Sequence, residues 1–92
     1  MKPPRRFQLG GRAWRVLTVG RKDMPPDMLG ICDFESARIL LRADMPDQLA
    51  EEVFWHEATH AILYIMGDDH ANEAKVCALG ALLHQLHATR RG

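Results

Sequence analysis

Two histidines stand four residues apart, with a glutamate directly after the first, in the stretch Val53 to Gly67, "VFWHEATHAILYIMG". On a helix, residues four apart lie one above the other on a single face. His56 and His60 can then offer two imidazole nitrogens to one ion. Zinc takes histidine nitrogen at ~2.0–2.1 Å and prefers four ligands in a tetrahedron. Glu57 lies one residue, about 100°, further round the helix. That offset sets its carboxylate beside such an ion rather than on it, where it can take a proton from a water and deliver one to a leaving amine. The bland alternative is a pair of satisfied core histidines. The setting argues against it, because unliganded histidines and a glutamate on an apolar helix face each carry a desolvation cost.

Zinc needs a third protein ligand. A pattern with a glycine and a third histidine further along the same stretch fails, since those positions are Leu63 and Met66. Two later residues are in reach. Glu73 opens the next helical segment, and a tight helical hairpin brings it back past the histidines; otherwise it is a dipole or capping-box carboxylate. His70 lies in the interhelical turn and reaches the ion if that turn folds over the site. Its other role would be to stabilise a developing oxyanion. Tyr64, one turn after His60, can also donate there, or can be a core-edge tyrosine. His84 lies about 16 Å along the axis from Glu73 and cannot share its ion. His84 and His87 read as surface or core-edge residues, and Asp68 and Asp69 as capping or solvating the turn.

The elements that must hold these residues are legible from period and punctuation. "FQLGGRAWRVLTVG" alternates apolar and polar residues on either side of Gly10-Gly11 and predicts a β-hairpin. "GRKDMPPDMLG" is a loop, with Pro25-Pro26 unable to supply ladder N–H groups. A second hairpin is expected over "ICDFESARILLRA", with its turn near Glu35-Ser36 and a strand at Ala37–Leu41. The helix carrying the histidines begins near Asp44 or Asp47, either of which can cap it, and ends at Gly67. Ala50, Phe54, Ala58, Ala61 and Ile65 form one apolar stripe, and Leu49, Val53, His56, His60 and Leu63 a second. Glu51, Glu52 and Thr59 fall on the remaining side. The last helix, capped by Asp69 or Asn72, carries Val76, Leu79, Leu83 and Leu86 on one stripe. Small residues at Cys77, Gly80 and Ala81 let the two helices approach closely. The expected fold is α+β: a small antiparallel sheet of two hairpins packed on the metal-binding helix and a second C-terminal helix. Residues 1–6 read as a flexible basic N-terminus and 7–92 as a single domain.

Composition narrows the function classes. In 92 residues, 47% are apolar and 26% charged, which is ordinary for a small globular domain. The formal net charge is zero, so nothing overall draws the chain to nucleic acid or an anionic membrane. Arg5, Arg6, Arg12 and Arg15 on the first hairpin read as a solvated face. No apolar h-region follows "MKPPRR", and no apolar run approaches the ~20 residues that span a bilayer. Cys32 and Cys77 have no metal-ligand spacing and are expected as two buried thiols of a reducing cytoplasm, with a single bridge as the other option.

The stretches "ARILLRADMPDQLAEEVFWHEATHAILYIMG" and "NEAKVCALGALLHQL" resemble the small HExxH metallopeptidases of the gluzincin type. They are especially similar to the compact phage-encoded and bacterial peptidase domains related to the ImmA/IrrE group. The resemblance covers roughly residues 31–87. It implies zinc at His56, His60 and Glu73, with Glu57 as general base in peptide-bond hydrolysis. It also implies a peptide or protein substrate, a host-cytoplasmic location if the protein is phage-encoded, and a strand near the site, here Ala37–Leu41, that pairs with extended substrate. A reading of another class is a zinc-stabilised module that binds a partner protein or a second copy of itself.

Overall fold

A computed structural model describes residues 2–90. Their elements are β1 (Arg6–Leu9), β2 (Arg12–Val19), a 3-10 turn (Arg21–Asp23), β3 (Gly30–Asp33), β4 (Arg38–Arg42), α1 (Asp47–Met66) and α2 (Glu73–Thr89). The fold is α+β: a four-stranded sheet packs on α1, and α2 packs on α1 rather than on the sheet.

Both hairpins form where expected. Gly10 and Gly11 take positive φ values of 60° and 78°, the pair of left-handed conformations that a tight two-residue turn requires. Val16 N–H also bonds Arg5 O at 2.9 Å, so pairing of the first hairpin begins inside the basic N-terminal segment. In the second hairpin, Asp33 Oδ1 accepts Ser36 N–H, Arg38 bonds Asp33 Oδ2 at 2.9 Å, and Ala37 takes the positive φ of 52°. Arg12 clamps this turn from the first hairpin by donating to the carbonyls of Phe34 and Glu35.

The sheet is not wholly antiparallel. Its order is β1-β2-β4-β3, and β2 pairs parallel with β4, Val16 opposite Ile39. The cause lies in the segment between Val19 and Gly30. A tight turn would lay β3 beside β2, whereas this loop carries the chain across one strand width to the far edge. β4 then returns in the gap, and Ala43 N–H closes the top by bonding Val19 O at 2.9 Å.

Trp14, Ile39, Leu41, Phe54, Ala58 and Ala61 form the core between sheet and α1. Phe7 stacks on Trp14 and meets Phe54 edge-on. Helix α1 starts without a side-chain cap: Pro46 holds the N-cap position, and Asp47 is the first helical residue rather than a cap. Gly67 ends it at φ 74°, donating to the last-turn carbonyls. The third side of α1 is also covered, against expectation. Thr59 is fully buried and Glu51 nearly so, because α2 packs there and Gly80 brings the two backbones together.

Helix α2 buries only Val76 and Gly80, while Leu82 and Leu86 are exposed. Of its expected apolar stripe, Leu86 lies outside the core. Asn72 caps the helix by accepting Lys75 N–H at 3.1 Å. Neither cysteine is bridged: Cys32 is half-buried, and Cys77 is exposed rather than buried.

Candidate metal centre

Helix α1 presents His56 and His60 toward the start of α2. There the Asn72 cap sets Glu73 as the first helical residue, and its carboxylate lies between the two imidazoles. Glu73 Oε2 is 3.2 Å from His56 Nε2, and Oε1 is 3.1 Å from His60 Nε2. A tetrahedral ion with ligands at ~2.0 Å has ligand-to-ligand edges of about 3.3 Å. Each histidine nitrogen is thus about one tetrahedral edge from a carboxylate oxygen, the two contacts going to different oxygens of Glu73, and a two-histidine, one-carboxylate set suits zinc.

The outer nitrogens of the rings are held too. His60 Nδ1 faces the carbonyl of His70, so a tautomer with its proton on Nδ1 would donate there and leave Nε2 to ligate an ion. His56 Nδ1 lies 3.9 Å from Cys77 Sγ, one helical turn past Glu73. Donor atoms of His56, Glu73 and Cys77 form one compact group and those of His56, Glu57 and His60 another, each within 4.8 Å.

Glu57 stands beside this set and is buried, with 9% of its surface exposed. Burial raises its pKa above the usual carboxylate value; His60 and His56 pull it back down, and Glu73 adds to the rise. A carboxylate pushed toward neutrality is suited to proton transfer. The strand below fits closely: a Cβ on Gly30 would lie 2.6 Å from Val53 Cγ1 and 3.1 Å from Glu57 Cγ. Cys32 lies on the same strand, its thiol pushed up to about 12 by burial and then by the carboxylates of Glu57 and Asp33.

The centre opens into a cleft of about 770 Å³ between β3, α1 and the interhelical turn. His70 lines this cleft, and its ring meets Phe34 edge-on at 4.8 Å. Tyr64 stacks on Phe34 at 4.3 Å and does not line the cleft. The structure therefore brings His56, Glu57, His60 and Glu73 together, places His70 at the wall, and sets Tyr64 behind that wall. His84 is elsewhere, 3.6 Å from Glu51, and His87 packs on Trp55.

The strand beside the cleft is also different from the expected one. β4, which covers Ala37–Leu41 but for Ala37, is paired on both sides and has no free edge. β3 is the edge strand. Arg42 N–H bonds Leu29 O, so alternation along the antiparallel ladder turns the N–H and C=O groups of Gly30 and Cys32 outward.

Sequence reasoning missed Gly30, Cys32, Glu52 and Cys77 at this site. Two of them carried a usable signal: Glu52 precedes His56 by four residues and Cys77 follows Glu73 by four, the spacing that shares a helix face. No family model, curated protein or solved structure matches this chain.

Proposed function

We propose that this chain is a minimal zinc-dependent peptidase in which His56, His60 and Glu73 hold the metal and Glu57 is the general base. The observation that carries this reading is the Glu73 carboxylate set between the two histidine Nε2 atoms, with a buried glutamate beside them. Zinc bound there would polarise a substrate carbonyl and acidify a water to a pKa of about 7.

The chain's own residues do the rest. Glu57 takes a proton from the attacking water as its oxygen bonds the carbonyl carbon. As the carbon–nitrogen bond breaks, the same carboxyl hands that proton to the departing amine. The His70 carbonyl holds the His60 ring in its ligating tautomer. In this reading His70, which lines the cleft, donates to the developing oxyanion. An extended peptide is held by main-chain bonds to the outward groups of Gly30 and Cys32 on β3. The two free thiols fit a reducing cytoplasm as the place of action.

One observation favours a second reading, a zinc-stabilised protein-binding module. Helix α2 is anchored by few buried side chains, so an ion joining it to α1 would stabilise the fold outright. The test is hydrolysis of a quenched fluorescent peptide library by zinc-loaded protein. The peptidase reading expects cleavage by the parent and a loss of at least about a thousandfold in Glu57→Gln with zinc content unchanged. Equal cleavage by both proteins removes Glu57 as base, and zinc without cleavage in the parent leaves the binding module.

A further inference from the structure

The chain as a whole is charge-balanced, with 12 basic and 12 acidic residues, but the cleft is not. Its charged lining is Asp27, Glu52, Glu57 and Glu73, with no lysine or arginine. Glu73 is engaged with the histidines and Glu57 is buried beside them. That leaves Asp27 and Glu52, both exposed, and neither side chain has a hydrogen-bond or ion-pair partner among the described residues. They flank one end of the cleft, together with an apolar wall of Met28, Leu49 and Val53. The loop that carries Asp27 is fixed on either side, by Met28 N–H to Pro25 O and by Arg42 N–H to Leu29 O. The unpaired carboxylates therefore sit on a held rim.

The direction of the cleft follows from the strand. β3 starts at Gly30, against Val53 and Glu57, and leads to Phe34, against Tyr64 and His70. It thus runs the same way as α1. A peptide that pairs antiparallel with β3, the more stable arrangement, has its C-terminal part at the end bearing Asp27 and Glu52. Glu52 precedes His56 by one helical turn, about 6 Å of rise. An extended chain advances ~3.3 Å per residue, so the Glu52 carboxylate lies about two residues beyond the bond that faces the histidines.

We propose that the cleft selects peptides with an apolar side chain next to that bond and a basic side chain about two residues beyond it, on the C-terminal side. This rests on the peptidase reading for the identity of the bond but not for the recognition of the peptide, which the cleft walls perform with or without metal. Apolar contact on Leu49, Val53 and Met28 orders the chain, and the free carboxylates of Asp27 and Glu52 pair with arginine or lysine and repel an acidic residue.

The experiment uses dansyl-labelled octapeptides in which leucine alternates with arginine, with glutamine or with glutamate, so that every second register offers the same side chains in the same places. Binding is read by fluorescence at low salt on zinc-loaded protein carrying Glu57→Gln, in the otherwise unchanged chain and in the variant below, so that the fold keeps its metal and the peptides are not cleaved. The arginine peptide is expected to bind about five- to tenfold tighter than the glutamine peptide, with glutamate weakest, since each semi-exposed pair contributes modestly. In Asp27→Asn/Glu52→Gln the preference should fall below about twofold, and with Asp27 and Glu52 in place it should shrink as added salt shortens the screening length. Equal binding of the three peptides, no binding of any, or an undiminished preference in the double variant overturns the proposal. Cleavage by zinc-loaded parent is then measured on the same peptides. Cleavage without charge preference defeats this inference and leaves the peptidase reading standing, whereas charge-selective binding without cleavage does the reverse.

Discussion

At the scale of residues, type and spacing are informative where side chains form the candidate centre and silent where the backbone does. His56, Glu57 and His60 announce themselves by position on one helix. Glu73 was reachable only through the idea of a helix doubling back, which the structure bears out by placing its carboxylate between the rings. The His70 carbonyl that orients His60 carries no signature, because every residue has a carbonyl. The two thiols show how surroundings divide one residue type. Cys32 is half-buried beside Glu57 with its pKa raised to about 12, and Cys77 is exposed on α2. Iodoacetamide at about pH 8 should therefore alkylate Cys77 and spare Cys32 until the protein is unfolded, as read by peptide mass spectrometry. Equal rates at the two thiols would contradict the packing of β3 under Glu57.

At the scale of elements, the hairpins and helices followed from alternation, Gly-Gly and helical stripes, but their mutual placement did not. The parallel β2–β4 pair depends on how far the loop between Val19 and Gly30 travels, and loop residues carry no pairing code. The burial of Glu51 and Thr59 likewise depends on where α2 lands. Gly80 fixes that landing. A Cβ there would lie 3.3 Å from His56 Cα and 3.4 Å from Trp55 O, main-chain atoms that yield little. Gly80→Ala gains ~1 kcal/mol of helix propensity and loses ~1–3 kcal/mol to overpacking. The crowding should win, lowering stability in urea by about 1 kcal/mol and weakening zinc binding, because the start of α2 carries Glu73. A stabilised Gly80→Ala would mean that the helices are not in close contact. The β3–β4 turn gives a pH-dependent test. The Arg38 hydrogen bond, then Ser36 N–H, lowers the Asp33 pKa below its ordinary 3.8. A depressed carboxyl contributes stability that is complete above the unfolded value and lost as pH falls through the folded one. Asp33→Asn should thus be less stable than the parent at neutral pH, and the gap should close on acidification below about pH 4, in urea melts at each pH. A gap that stays constant with pH would show that Asp33 acts by shape alone.

At the scale of the whole molecule, α+β class and modest size were readable from composition and periodicity, and no helix among the described residues is long and apolar enough to cross a membrane. What could not be read was the uneven distribution of charge. A sum of zero over the chain conceals a cleft lined by carboxylates and histidines, since folding, not composition, decides which charges share a surface. The same point governs the proposed metal centre, whose proposed ligands come from two helices, of which α2 buries only Val76 and Gly80. Its most direct test is elemental analysis of protein purified without chelator, the parent beside Glu73→Ala. About one zinc per chain is expected in the parent and a small fraction of that in the variant, because two histidines alone hold zinc weakly. A parent without zinc, or a Glu73→Ala protein with as much zinc as the parent, would contradict the proposed centre.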